Sequence, residues 1–163
     1  MRLRGRAWKF GDNISTDHIV PGRYYHLRSN LPELAKHIME DADPEFVKKF
    51  KPGDFIVAGR NFGMGSSREH APLALKISGI SAVIAKSFSR IFYRNAINVG
   101  LPLLIANTDA INDGEEIEVD PEKGLIVTAR GTIQSKPLPS FMLSILREGG
   151  IVNYIKKYGD LNI

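Results

Sequence analysis

The chain has 163 residues, of which 43% are hydrophobic and 25% are charged, and its formal net charge at pH 7 is +4. This length predicts one domain over residues 1–163, and the absence of cysteine excludes disulfides, thiolate nucleophiles and metal or iron–sulfur sites held by the chain's own sulfurs. Apolar runs are too short for a membrane span, and no apolar segment follows the basic N-terminus. The small excess of positive charge is spread along the chain. We therefore expect a soluble cytoplasmic protein without a membrane or nucleic-acid partner.

The N-terminal third predicts loops and short helices. "GDNISTDHIVPG" (11–22) is dense in turn formers and predicts an ordered loop. "LPELAKHIME" (31–40) has apolar residues at helical spacing, with Pro32 early enough for a first turn. "PEFVKKFKPGD" (44–54) predicts a short helix or turn that ends at its Pro and Gly.

The middle of the chain alternates between short apolar runs and helical patterns, which is typical of parallel strands joined by helical crossovers. The predicted strands are "DFIVAG", "SAVIAKS" and "LPLLIA", and the predicted helices are 67–78 and 89–99.

Beyond Asn107 the pattern changes to strand-like alternation between Pro or Gly turns. A helical tail over 140–158 is interrupted at Gly149 and Gly150. The sequence therefore predicts an α/β fold with a parallel and an antiparallel β layer plus helices. The later strands are "EEIEVD", "GLIVTAR" and "GTIQSKPL".

The glycine-rich stretch "NFGMGSSREH" (61–70) follows a predicted strand, where ligands of open α/β layers bind. One interpretation is a capping box, in which Ser66 and Glu69 satisfy each other's backbone donors. Pro72 complicates it, because a helix capped at Ser66 would lose a hydrogen bond there, so the helix starts nearer Glu69 or is kinked. A later start would leave Ser66 and Arg68 on a tight loop, as a reactive site requires, and both interpretations stay open.

A second polar cluster lies upstream, with Asp17 and His18 in "STDHI" and Arg28 in "YYHLRSN". Each of these residues has an ordinary structural explanation as turn chemistry, a cap or surface packing. Arginines grip carboxylates through two donors, so Arg28 and Arg68 together indicate an anionic ligand.

In this order, "GDNISTDHIVPG", "NFGMGSSREHA", "IAKSFSRIFYRNAINVGL" and "DGEEIEVD" resemble, over nearly the whole chain, the small subunits of 3-isopropylmalate dehydratases. These are the detached swivelling domains of the aconitase superfamily. The resemblance implies a swivelling β/β/α domain that closes over an active site built mainly on a separate large subunit. That large subunit would carry a [4Fe-4S] cluster, with none bound by this chain, and the hetero-oligomer would be a hydro-lyase.

The implied reaction is the dehydration and rehydration that interconverts 2-isopropylmalate and 3-isopropylmalate in leucine biosynthesis. By motif position, Ser66 matches the serine whose alkoxide takes a proton from carbon, and Asp17 matches an active-site aspartate. Arg68 and Ser67 match substrate-binding positions. Arg28 matches a substrate-binding arginine, although its spacing differs by one residue from that in aconitase.

Three further expectations concern specificity and partners. Arg28 favours a third carboxylate, which makes a homoaconitase or broad-specificity hydro-lyase subunit the alternative, whereas Tyr24, Tyr25 and Leu27 offer apolar contacts. A free-standing anion- or RNA-binding module is the alternative from another class, but no interleaved aromatic and basic stripe supports it. Self-association is expected only for the isolated chain.

The segment "SFSRIFYRNAIN" (87–98) belongs to the same pattern. We expect its apolar residues to lie in the core and its polar residues to support the loops or line the large-subunit interface. The apolar set is Phe88, Ile91, Phe92 and Ile97, and the polar set is Arg90, Arg94 and Asn95.

Overall fold

The computed structural model of the chain describes residues 2–159. Its centre is one seven-stranded mixed sheet with strand order β4-β3-β2-β1-β5-β6-β7. The strands are β1 (Leu3–Lys9), β2 (Phe55–Ala58), β3 (Ala82–Ala85), β4 (Leu103–Ile105), β5 (Glu116–Asp120), β6 (Leu125–Thr128) and β7 (Gly131–Gln134).

The parallel half of the sheet runs from β1 to β4. Every residue of β2 and β3 is buried, which explains why both read as continuous apolar runs in the sequence. Val83 of β3 pairs with Ile56 on one side and Leu103 on the other, so β3 is hydrogen-bonded along both edges.

The antiparallel half begins at the opposite edge of β1, which pairs with β5, and continues through β6 to β7. It folds back over one face of the parallel half, because Phe55 and Ile84 share a core cluster with Ile117. The backbone N–H of Lys136 donates to the carbonyl of Ile105, 2.9 Å away, and so links the end of the antiparallel half to the β4 edge.

Helices cover the other face of the parallel half, where a second core cluster forms. α4 and α5 connect the parallel strands, and each ends at a glycine in the left-handed region, Gly79 and Gly100, as helix C-termini commonly do. The helices are α1 (Thr16–Ile19), α2 (Leu31–Leu34), α3 (Phe46–Lys49), α4 (His70–Ser78), α5 (Arg90–Val99), α6 (Ser140–Arg147) and α7 (Ile151–Tyr158), with 3-10 turns at Gly22–Leu27, Ala35–His37 and Thr108–Ala110.

The predicted fold class is confirmed, and the two expected β layers are the two halves of this one sheet. No strand was predicted in the first ten residues, yet β1 is the strand that joins both halves. The signal in the sequence is weak, because the inward register contains Gly5, which disfavours strands, and Trp8 falls in the register of the exposed Arg4 and Arg6.

Several element bounds differ from the prediction. The expected loop 11–22 contains the one-turn helix α1, and the helix predicted over 31–40 becomes a 3-10 turn after Leu34. Ile91, expected in the core, is 52% exposed, whereas Phe92 and Ile97 are buried as expected and Phe88 is partly buried against the core. Within residues 2–159, no helix is long and apolar enough to cross a membrane.

Candidate active site

Three chain segments run side by side beyond the carboxyl ends of β1, β2 and β3. Ser15 pairs with Met64, and Phe62 pairs with Phe88, each as an isolated parallel bridge. The Gly63 N–H also donates to the carbonyl of Ile14 at 2.7 Å. The glycine-rich loop is thus held on both sides, at the sheet edge where open α/β folds bind ligands.

Gly63 and Gly65 give the loop its path, since both have positive φ values, 84° and 103°. A Cβ on Gly63 would lie 2.2 Å from Cγ of Phe92, so only glycine allows the loop to lie against that ring. Gly65 turns the chain outward, and the two serines that follow, Ser66 and Ser67, are exposed.

Thr16 fixes the backbone at Ser66. Its side chain is buried, and its Oγ1 donates to the Ser66 carbonyl oxygen at 3.0 Å. The Thr16 N–H donates to the carbonyl of Met64 at 2.8 Å. Two hydrogen bonds from one buried residue therefore hold the loop on either side of Gly65.

The capping-box interpretation of Ser66 and Glu69 is wrong. α4 begins only at His70, Glu69 is its N-cap residue, and no side chain caps it. Pro72 is then the third residue of the helix, in the first turn, where the missing N–H costs no intrahelical bond. A capping box exists elsewhere, at the start of α1, where Ser15 and His18 cap each other.

Arg68 and Asp17 meet across the site, although the sequence separates them by 51 residues. Nη1 of Arg68 donates to Oδ1 of Asp17 at 3.1 Å and to the Val20 carbonyl at 2.9 Å. The same carboxylate oxygen accepts from the Gly22 N–H at 2.9 Å. Within residues 2–159, Nε and Nη2 of Arg68 make no hydrogen bond, so a face of the guanidinium remains able to bind an anion.

Arg28 directly follows the 3-10 turn Gly22–Leu27 and makes no hydrogen bond or ion pair with Asp17 in the described residues. Its guanidinium stacks over the ring of Tyr25, 4.3 Å from the centroid, and Nη1 donates to the Tyr25 carbonyl at 3.1 Å. Tyr25 in turn packs edge-on against His70, with ring centroids 5.6 Å apart. Tyr25 therefore connects Arg28 to His70, which lies two residues after Arg68.

His70 was not among the predicted site residues. Burial lowers the pKa of His70 below its usual 6.5, and the positive charges of Arg68 and Arg28 lower it further. Its Nε2 is the one buried side-chain polar atom without a hydrogen-bond partner among the described residues. The signal in the sequence was its place immediately after the arginine and glutamate of the glycine-rich loop.

Comparisons with known proteins identify the family of the chain. The aconitase C-terminal domain matches residues 12–108, which contain Asp17, Arg28, Ser66, Ser67 and Arg68. The 3-isopropylmalate dehydratase small subunit 2 of Archaeoglobus fulgidus is 74% identical, over 100% of this chain and 100% of its own length. The chain belongs to the family of 3-isopropylmalate dehydratase small subunits.

Two other relatives show the breadth of this family. The crystal structure of 3-isopropylmalate dehydratase from Methanocaldococcus jannaschii is similar with a TM-score of 0.93 and 53% identity, covering 98% of this chain and 96% of that one. The methanogen homoaconitase small subunit of Methanothermobacter thermautotrophicus is 55% identical over 99% of this chain and 95% of its own length. Sequence identity alone therefore does not separate the two substrates.

The chain alone leaves little room beside Ser66. The depression around Ser66 has a volume of about 10 Å³, room for at most one water molecule. Its walls are Thr16, Gly63, Gly65, Ser66, Ser67, Arg68, Ser89, Ile91, Phe92 and Asn95.

The residues of this chain do not fit an iron–sulfur cluster. Such clusters are held by cysteine thiolates, and the chain contains no cysteine. In the described part of the chain, no group of three or more His, Asp or Glu side chains could hold a metal ion.

Proposed function

We propose that this chain is the small subunit of a 3-isopropylmalate dehydratase, acting in leucine biosynthesis in the cytoplasm. With a large subunit, it would interconvert 2-isopropylmalate and 3-isopropylmalate by dehydration and rehydration. The observation that carries the proposal is the exposed Ser66 on a glycine loop to which Thr16 donates a hydrogen bond, two residues from an arginine that donates to Asp17. The full-length identity to a named small subunit supports the same substrate class.

Ser66 is proposed as the base that takes the proton from the substrate carbon during dehydration and returns it during rehydration. A serine hydroxyl is a weak base in water, so its alkoxide needs nearby positive charge and exclusion of solvent. The guanidinium of Arg68 supplies the charge. Ser66 Oγ would hold the transferred proton between the two half-reactions.

Arg68 is proposed to bind a substrate carboxylate through the donors that face away from Asp17. Asp17 and the Val20 carbonyl hold Nη1, so the guanidinium plane is oriented before substrate arrives. Ser67, exposed beside Ser66, is proposed to donate a hydrogen bond to the same carboxylate.

Arg28 is the residue that favours the alternative substrate. Its guanidinium is exposed and ordered by stacking on Tyr25, and one relative at 55% identity is named a homoaconitase subunit. A charged group at this place suits a third carboxylate better than an isopropyl group. We therefore propose homoaconitate as the second candidate substrate, in a homoaconitase or broad-specificity hydro-lyase.

The large subunit is proposed to carry the [4Fe-4S] cluster, because this chain has no cysteine to hold it. The same partner would complete the site around Ser66, because the depression in this chain is too small to hold a dicarboxylate alone.

The test is anaerobic reconstitution of the chain with its large subunit, followed by assays on 2-isopropylmalate and homoaconitate side by side. We expect turnover only with both subunits present. Ser66→Ala should lower kcat by about 10³-fold, with unchanged unfolding temperature and unchanged affinity for the large subunit. Near-normal turnover by Ser66→Ala would remove the serine from the chemistry.

Arg28→Leu tests the choice of substrate in the same assay. It should lower kcat/KM for homoaconitate relative to that for 2-isopropylmalate, because the third carboxylate loses its cation. Arg2→Leu is the control, since Arg2 pairs with Glu118 on the antiparallel half of the sheet. An activity ratio that is unchanged by Arg28→Leu would exclude Arg28 from substrate selection.

A further inference from the structure

The 3-10 turn Gly22–Leu27 connects the two arginines of the candidate site. At its start, the Gly22 N–H donates to the same carboxylate oxygen of Asp17 that accepts from Arg68. Arg28 follows directly after its end. The place of Arg28 relative to Arg68 therefore depends on the path of this turn.

Arg23 ties the turn to two carboxylates that lie 17 and 18 residues further along the chain. Its Nη1 donates to Oδ2 of Asp41 at 3.0 Å, and its Nη2 donates to Oδ1 of Asp41 at 2.8 Å and to Oε2 of Glu40 at 2.7 Å. The Arg23 guanidinium lowers the pKa of Asp41 below its usual 3.8, so the pair stays ionised at neutral pH. Two parallel N–H···O bonds fix the plane of a guanidinium, which a single contact does not.

Tyr24 adds a stacked contact with the same segment. Its ring lies 3.8 Å from that of His37, with an interplanar angle of 13°, and the Arg23 guanidinium lies 4.8 Å from the Tyr24 centroid. Tyr24 and Leu27 also pack against the core, whereas Tyr25 is 48% exposed. One side of the turn is therefore anchored to the protein, and the side that carries Tyr25 is open to solvent.

The anchoring contacts lie near the surface, since the side chains of Arg23 and Asp41 are 52% and 37% exposed. Exposed ion pairs contribute little to the stability of a whole domain. A bidentate contact can still restrict local motion, because local opening of a turn has its own free energy. We therefore expect the Arg23 contacts to order the turn and to leave the free energy of global unfolding nearly unchanged.

We infer that Arg23 is a positioning residue for substrate selection. Its contacts with Glu40 and Asp41 hold the turn so that Arg28 lies where the third carboxylate of a tricarboxylate binds. Arg23 acts through Arg28 and does not itself touch the substrate. This inference rests on the proposed function, because the selection is between the two candidate substrates of that function.

The experiment assays Arg23→Gln, reconstituted with the large subunit, on 2-isopropylmalate and homoaconitate. KM for homoaconitate should rise about tenfold with kcat within about threefold of the wild type, because a binding cation is displaced and no reacting group is. KM for 2-isopropylmalate, which lacks the third carboxylate, should change by less than about threefold. Arg147→Gln is the matched control, because Arg147 is also 52% exposed and pairs with Glu122 at 2.8 Å. It should leave both KM values unchanged.

Two further measurements show whether Arg23 acts through Arg28. In an Arg28→Leu background, Arg23→Gln should change the KM for homoaconitate by less than about twofold, since the cation that it positions is gone. In the isolated full-length chain, Arg23→Gln should make hydrogen exchange of residues 22–28 at least about threefold faster, whereas Arg147→Gln should not. A residue with only a general structural role would not show this dependence on Arg28.

The outcomes separate this inference from the proposed function. If the wild type turns over neither substrate with the large subunit, the proposed function fails. If it turns over 2-isopropylmalate but not homoaconitate, or if Arg23→Gln leaves the KM for homoaconitate unchanged, the proposed function stands and this inference is overturned. An equal rise in KM in the Arg28→Leu background, an equal effect of Arg147→Gln, or unchanged hydrogen exchange of the turn would also overturn it.

Discussion

Oγ1 of Thr16 donates a 3.0 Å hydrogen bond to the carbonyl oxygen of Ser66, and the threonine is only 3% exposed. This bond positions the proposed base, Ser66, through its backbone carbonyl and leaves its hydroxyl free for the substrate. Thr16→Val keeps the shape but removes the donor, so the Ser66 carbonyl loses its partner. We expect kcat to fall about tenfold with little change in KM, because a small displacement of a reacting group is costly.

Thr16→Ser is the control for this prediction. Serine restores the hydroxyl, and kcat should return to within about threefold of the wild type. Thermal unfolding should show Thr16→Val to be less stable by about 1 kcal/mol. A Thr16→Val enzyme with normal kcat, or one that serine fails to rescue, would show that the bond has only a structural role.

The ion pair between Arg68 and Asp17 supports a second prediction. Arg68 is 23% exposed and Asp17 is 64% exposed, so the pair contributes less than about 1 kcal/mol to stability. We propose that the pair acts mainly by orienting the Arg68 guanidinium toward the substrate carboxylate. Arg68→Lys should lower kcat/KM about 100-fold, since an ammonium group cannot serve Asp17, the Val20 carbonyl and a substrate carboxylate in one plane.

Asp17→Asn separates orientation from charge. It should lower kcat/KM less than Arg68→Lys does, because the Val20 carbonyl still holds the guanidinium. In the Asp17→Asn/Arg68→Lys double variant, the increase in activation free energy should be smaller than the sum of the two single increases. Both changes disturb the same ion pair. Additive losses in steady-state kinetics would show that the two residues act independently.

Sequence patterns predicted the helices and strands far better than they predicted the bonds between them. β2 and β3 were visible because strands buried on both faces are continuous apolar runs. β1 was not, because Gly5 and Trp8 weaken the alternation of its apolar and polar residues. Likewise, the capping box at Ser15 and His18 does not follow the usual S-x-x-E spelling, whereas the stretch that does, from Ser66 to Glu69, caps nothing.

In the candidate site, too, contacts between distant segments were not predicted from the sequence. Ser66, Arg68 and Asp17 were predicted because their motifs are distinctive, and the structure brings Arg68 and Asp17 into contact. Thr16 and His70 were not predicted as site residues, because their importance comes from contacts between segments some 50 residues apart. A single sequence shows local patterns, and long-range hydrogen bonds leave no local pattern.

Gly63 provides a stability prediction that separates two costs. Gly63→Ala forces an alanine to φ 84° and drives its Cβ to 2.2 Å from the Phe92 ring. Gly159→Ala would require a similar positive φ, 81°, but its Cβ would meet no atom of residues 2–159 within 4 Å. We expect Gly63→Ala to lose about 3 kcal/mol and Gly159→Ala about 1 kcal/mol, measured by urea unfolding.

The difference between the two glycine variants measures the overlap with Phe92. In a Phe92→Ala background, Gly63→Ala should cost less than it does in the wild type, because alanine at position 92 lacks the Cγ and Cδ2 atoms of the overlap. If Gly63→Ala is no more destabilising than Gly159→Ala, the loop does not lie against Phe92 as described.

His70 gives the isolated chain a pH-dependent stability. Burial and the nearby charges of Arg68 and Arg28 hold the pKa of folded His70 below the usual 6.5. In the unfolded chain the pKa of His70 is the usual 6.5. Between this value and the lowered pKa of the folded chain, the unfolded chain binds more protons, so the free energy of unfolding rises with pH. The contribution of His70 to the free energy of unfolding is complete above about pH 6.5 and is lost as pH falls toward the lowered pKa of the folded state.

His70→Gln should remove this part of the pH dependence. Urea unfolding of both proteins between about pH 5 and 7.5 should show curves that differ in slope below pH 6.5 and run parallel above it. His26→Gln is the control, because His26 is exposed on the 3-10 turn and should leave the difference unchanged. A His70→Gln protein whose curve parallels that of the wild type throughout would mean that His70 titrates normally in the folded chain, and that neither burial nor the two arginines acts on it.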